Sequence, residues 1–88
     1  MERVTRRLRA LPKEGLHARP AARLVETAKR FAATVTLSHA GNHASAKDLM
    51  DLLYLAAPGG TRLELVAEGE DAVQAADAVE ALLATLGD

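Results

Sequence analysis

Apolar residues along this chain switch between two spacings, and each switch marks an element. Val4 to Leu11 alternates, with Val4, Leu8 and Ala10 on one side and Thr5, Arg7 and Arg9 on the other, which predicts a half-buried strand. Pro12 to Gly15 breaks it. From Ala18 or Arg19 the spacing becomes helical: Ala21, Leu24/Val25, Ala28 and Phe31/Ala32 recur, and Arg23, Glu26, Lys29 and Arg30 are left for water. Glu26 and Arg30, four apart, are expected to pair on that outer face. Pro20 fits the first turn, where its missing amide proton has no intrahelical partner.

Thr34 to His39 alternates again with Val35 and Leu37 inward, Ala40-Gly41-Asn42 reads as a turn, and His43 to Ala46 as a returning strand, together a hairpin. Asp48 is placed to cap a short apolar helix, LMDLLYLA, that Pro58-Gly59-Gly60 stops. Arg62 to Glu68 is a fourth strand with Leu63, Leu65 and Ala67 inward, turned by Gly69-Glu70. Asp71 and Gln74 have the spacing of a capping box. The helix they open is expected to bury Ala72, Ala75/Ala76, Val79, Leu82/Leu83 and Leu86. The order β-α-β-β-α-β-α, with an antiparallel hairpin, predicts an α/β (α+β) two-layer sandwich whose sheet is covered on one face by the two long helices. With 88 residues, the chain is expected to form a single domain, 1–88.

Composition narrows the function classes. The only aromatics are Phe31 and Tyr54, so the core must come from Leu, Val and Ala, and the stacking rings of a single-strand nucleic-acid binder are missing. No cysteine is present, which excludes disulfides and thiolate metal sites and fits a reducing cytoplasm. No apolar run approaches membrane-spanning length, and MERVTRRLRA lacks the apolar region of a signal peptide. The expectations are a cytoplasmic monomer with no nucleic-acid partner, no membrane insertion and no cofactor. His39 and His43 lie by the hairpin, but no third ligand is spaced near them, and no metal is expected. Net charge is −1 but uneven: residues 1–30 hold nine Lys/Arg against three acids, and residues 31–88 hold two against nine. That asymmetry predicts a basic face able to steer an acidic partner or an anion.

The candidate chemistry sits in Gly15-Leu16-His17-Ala18-Arg19-Pro20-Ala21-Ala22. A helix N-terminus offers bare amides and about half a positive charge, which together make an anion site. Ala18 and Arg19 can supply those amides and Pro20 cannot; the Arg19 guanidinium matches phosphate oxygens. Gly15 lets the chain turn tightly before them. Neutral imidazole is a good nucleophile, so His17 is placed to carry a phosphoryl group that the amides and Arg19 then hold. The bland alternative is a surface histidine beside a proline-started helix.

GLHARPAA resembles, at every position, the active-site signature of the histidine-containing phosphocarrier (HPr) family of the sugar phosphotransferase system. The resemblance extends over essentially the whole chain, since length and element order match a fold with a four-stranded antiparallel sheet and three helices. It implies that His17 accepts a phosphoryl group at Nδ1 from phosphorylated enzyme I, which takes it from phosphoenolpyruvate. His17 would pass the group to a sugar-specific IIA component, with Arg19 steering the phosphate. It also implies a stoichiometric carrier rather than an enzyme.

Lys47 to Leu53 resembles the family's second signature, with one departure. Asp48 stands where many members have a serine that a regulatory kinase phosphorylates, and aspartate is no substrate for that kinase. Either Asp48 only caps the helix, or its fixed charge mimics phosphoserine and weakens docking to enzyme I. LMDLLYL is apolar almost all round, more than one buried face needs, so part of it is expected to be exposed. Leu49, Met50 and Leu53 are expected outward, forming by resemblance the docking patch for partners, with Leu52 and Leu55 inward. Three rival functions remain: a carrier in a nitrogen-related or dihydroxyacetone kinase relay, a small phosphate-ester or acyl-phosphate hydrolase, and a regulatory adaptor. Against the hydrolase, Glu14 is the only acid near the loop; against the adaptor, His17 is present.

Overall fold

Seven elements follow in the predicted order: β1 (Glu2–Ala10), α1 (Ala18–Ala28), β2 (Thr34–His39), β3 (Asn42–Ser45), α2 (Leu49–Leu55), β4 (Arg62–Gly69) and α3 (Ala72–Leu86). The structure is a computed structural model and describes residues 2–11, 15–55 and 59–86. The expected breaks at Pro12–Glu14 and Pro58 lie outside the described residues, as do the side-chain placements expected of Arg9, Ala10 and Leu86.

The strands form one sheet in the order β1-β4-β2-β3, antiparallel throughout. Alternation decides which face is buried. Leu8, Val35, Leu37, Leu63, Leu65 and Ala67 point to the helices and are almost wholly buried, together with Leu24, Leu52 and Val79 from the helices. The three helices form one layer, the short α2 reaching the sheet as well as a long helix: α3 crosses β1, β4 and β2, α1 rests against α3 and α2, and α2 packs on β3.

The hairpin is tighter than the sequence indicated. His39 pairs directly with Asn42, so the loop is the two residues Ala40 and Gly41, and β3 begins one position earlier than expected. Both loop residues have positive φ, 51° and 81°, as a type I′ turn requires. The second suits glycine; the first is an alanine whose Cβ opposes that conformation. The His39 ring closes the end of α2 by donating from Nε2 to the Leu55 carbonyl, 3.2 Å away.

Three expectations from local spacing are corrected by long-range contacts. First, α1 ends at Ala28, where the Arg30 and Phe31 amides bond to the Thr27 and Ala28 carbonyls in a tightened last turn. Phe31 and Ala32 therefore lie beyond the helix, half-buried and exposed respectively. Second, Arg30 has left the helical path, and the expected ion pair with Glu26 is not formed. Third, Asp71 does not make a capping box. Its carboxylate accepts the Ala32 and Ala33 amides at 2.9 and 2.8 Å, 39 and 38 residues away, while its carbonyl takes the Ala75 amide. Lys47 Nζ donates to the Phe31 carbonyl at 2.7 Å from the other side. Gly69 completes this clamp, since a Cβ there would lie 2.8 Å from the Ala33 Cα.

The basic first third of the chain does not form a single face. On β1, Arg6 points to the helices and bonds Asp77 and Glu80 of α3 at 2.5 and 2.9 Å. Arg3 and Arg7 lie opposite Glu68 and Glu64 across the β1–β4 ladder. The exposed cations that remain on one element are those of α1, Arg19 and Arg23, with Lys29 and Arg30 just beyond it.

Two measurements check this account. The Ala32 and Ala33 amides hold the Asp71 carboxyl below its ordinary value of 3.8. A carboxyl lowered on folding stabilises above its unfolded value and loses that contribution as pH falls through the folded value. In urea unfolding, wild type is expected to be more stable than Asp71→Ala at pH 7, with the gap closing only below pH 3.8. At the hairpin, Ala40→Asn is expected to raise stability by about 0.5–1 kcal/mol, because asparagine tolerates positive φ.

Candidate functional site

The loop before α1 holds one residue inward and sets the next one out. Gly15 has φ 75°, a conformation open to glycine, which accounts for a glycine at this turn. Leu16 is then 6% exposed and belongs to the core, whereas His17 beside it is exposed. Leu16 was not singled out from the sequence, because an isolated leucine between Gly and His fits neither spacing. It anchors the loop, and that anchoring turns the His17 side chain toward solvent.

His17 is the N-cap of α1, extended at φ −106° and ψ −173°, with no side-chain capping bond. Its carbonyl accepts the Ala21 amide at 3.0 Å, the first bond of the helix. The Ala18 and Arg19 amides therefore precede the first bonded turn and find no acceptor among the described residues. Pro20 follows, buried and with no amide proton to offer. The two amides, the positive end of the helix dipole and the exposed Arg19 side chain form an anion site adjoining an unengaged imidazole. Glu14, considered as an acid near this loop, is outside the described residues.

α1 packs against α2, which carries the second candidate group. Asp48 caps α2: its Oδ1 accepts the Asp51 amide at 3.1 Å, and its carbonyl takes the Leu52 amide. Asp51 in turn accepts the Ser45 amide at 3.3 Å, tying the start of α2 to β3. Leu52 and Leu55 are buried as expected, and Leu49 and Met50 are exposed at 38% and 53%. Leu53 differs from expectation: it is half-buried and packs against the core. The outer position belongs instead to Tyr54, 78% exposed and one helical turn from Met50. The i,i+4 relation of Met50 and Tyr54 was available in the sequence, but a helix apolar all round does not declare which face is out.

His39 Nε2 donates to the Leu55 carbonyl, and no cluster of three or more His, Cys, Asp or Glu side chains able to hold a metal occurs among the described residues.

Comparison with known proteins identifies relatives of this chain. Residues 4–85 match a family model described as the PTS HPr component phosphorylation site. The phosphocarrier protein HPr of Haemophilus influenzae is 47% identical over 72 residues, 82% of this chain and 85% of that protein. The crystal structure of HPr from Bacillus anthracis superposes with a TM-score of 0.86 at 35% identity, covering 94% of this chain and 99% of the other. That of an HPr dimer from Thermoanaerobacter tengcongensis gives 0.76 at 34% identity and covers 100% of both chains. The fold is that of a phosphocarrier, a protein that carries phosphoryl groups without being a catalyst. The chain belongs to the HPr family of the phosphotransferase system.

The cap at Asp48 can be tested by stability. Asp48→Ala is expected to lose about 1 kcal/mol, the usual value of an N-cap, and Asp48→Ser to lose little, since serine caps equally well. Urea unfolding of the three proteins measures both.

Proposed function

We propose that His17 is the phosphoryl acceptor, that phosphorylated enzyme I is its donor, and that a IIA component of a sugar phosphotransferase system receives the group. The observation that carries this reading is the exposed, uncapped His17 next to the amides of Ala18 and Arg19, which find no acceptor among the described residues. The Nδ1 lone pair attacks phosphorus, and the bond from phosphorus to its donor breaks as the N–P bond forms. The Ala18 and Arg19 amides and the Arg19 guanidinium bind the phosphoryl oxygens through charge-assisted hydrogen bonds. A second displacement, by the IIA nucleophile, breaks the N–P bond and returns the free imidazole. Leu49 and Met50 are assigned to partner docking, with Tyr54 in place of the half-buried Leu53 as the third exposed apolar side chain of α2. Residues 1–88 act as one phosphocarrier domain, in the cytoplasm and as a monomer.

Asp48 is assigned the capping role that its bond to the Asp51 amide supports. The family's regulatory serine is absent here, so kinase control at this position is absent with it.

The test is incubation with enzyme I and phosphoenolpyruvate, followed by intact-protein mass and acid treatment. One acid-labile phosphoryl group is expected on wild type and none on His17→Ala. Arg19→Gln is expected to slow transfer about tenfold or more, the loss of a hydrogen bond to a charged group. Asp48→Ser is expected to transfer at the wild-type rate. Phosphate retained by His17→Ala, or released by wild type as free inorganic phosphate, would overturn the assignment, the latter in favour of a hydrolase.

A further inference from the structure

The face of the sheet turned away from the helices has a polar order that the carrier role does not use. Ladder register places Arg7 of β1 opposite Glu64 of β4, Glu64 opposite Ser38 of β2, and Ser38 opposite His43 of β3. Directly opposed residues share a face, so these four side chains form one row across all four strands, about 14 Å long at ordinary strand spacing. Arg62 stands on the same face of β4, two residues before Glu64. An open groove of about 490 Å³ runs along this row, and all five residues line it.

Its charges are uncompensated in a specific way. Neither Arg7 nor Arg62 closes an ion pair with a carboxylate of the described residues, although Glu64 is opposite Arg7 in the ladder and two residues from Arg62. Two guanidiniums at one end of the groove supply more positive charge than one carboxylate cancels, and their planar donors match phosphoryl oxygens. Glu64, Ser38 and His43 continue the row with groups that bond hydroxyls, and Glu64 disfavours a bare anion lying across the middle. No Phe, Tyr or Trp lines the groove among the described residues, so the broad platform on which a nucleobase stacks is missing and only the small imidazoles of His39 and His43 are present.

We propose that this groove binds a hydroxylated phosphate monoester of sugar-phosphate size. The phosphate sits between Arg7 and Arg62, and the hydroxyls meet Glu64, Ser38 and His43. The site lies on the sheet face opposite the helices that carry His17 and the docking patch, and the proposal does not depend on His17 being the acceptor.

The test is an amide chemical-shift titration of the whole chain with ribose 5-phosphate, beside ribose and inorganic phosphate. Expected are saturable shifts centred on Arg7, Ser38, His43, Arg62 and Glu64 with the ester, weaker binding of inorganic phosphate, and no response to ribose. The double variant Arg7→Gln, Arg62→Gln is expected to bind the ester at least about tenfold more weakly, the equivalent of one hydrogen bond to a charged group. Its phosphoryl transfer should equal that of wild type. Ser38→Ala, a smaller change, is expected to weaken the ester without affecting inorganic phosphate, and keeps the test open if the double variant does not fold. The proposal is overturned by the absence of saturable shifts, by equal binding of inorganic phosphate, or by shifts confined to Ala18, Arg19 and Ala21.

Discussion

The burial of Leu16 is the constraint on which the rest depends. Inserting that side chain into the core fixes where α1 begins, and so which residue becomes its N-cap. His17 is left exposed at the first helical bond, with two amides ahead of the bonded turn and a proline immediately after them. A helix needs partners for its first amides, and most helices take them from a side-chain cap or water. Here the cap residue makes no such bond, and His17, Ala18 and Arg19 are all exposed. Anion binding is the chemistry that such a terminus favours, and a covalently held phosphate would satisfy it at short range.

The remainder of the fold keeps that helix still. α1 is held by α3 and α2, and its far end leads into a loop gripped from both sides. The Asp71 carboxylate takes two amides of this loop, Lys47 takes a carbonyl, and Gly69 lets β4 approach Ala33 without a clash. Lys47 immediately precedes Asp48, so the clamp on the end of α1 is joined in sequence to the cap of α2. The element carrying His17 and the element carrying the exposed Met50 and Tyr54 are thus positioned by one set of contacts. A carrier that must meet several partners needs this kind of rigid surface more than it needs a cavity.

Legibility in the sequence follows the range of the forces involved. β2 matches its predicted limits because strict alternation with Val35 and Leu37 is a local signal. The start of α1 was legible because glycine, proline and the apolar spacing all act within a few residues. Asp71 was misread because its spacing to Gln74 is local while its real partners are nearly forty residues away. Arg6 was left unassigned by the alternation: it shares the inward parity of Val4 and Leu8, and its partners there, Asp77 and Glu80 of α3, are more than seventy residues away. Leu53 and Tyr54 exchanged roles because seven residues, apolar on every side, give periodicity too little contrast to fix a face. At the site, residue types pointed to the chemistry proposed for His17 and Arg19. The exposure of His17 and the anchoring of Leu16 required the fold.

The central claim is that the bare amides at the start of α1 receive a phosphoryl group carried by His17. It is tested most directly by comparing amide and imidazole nitrogen spectra before and after phosphorylation. The account predicts phosphorus on His17 Nδ1 and the largest amide shifts at Ala18 and Arg19, with His39 and His43 unmodified. Phosphorus on another histidine, or a phosphorylated His17 that leaves the Ala18 and Arg19 amides unmoved, would contradict it.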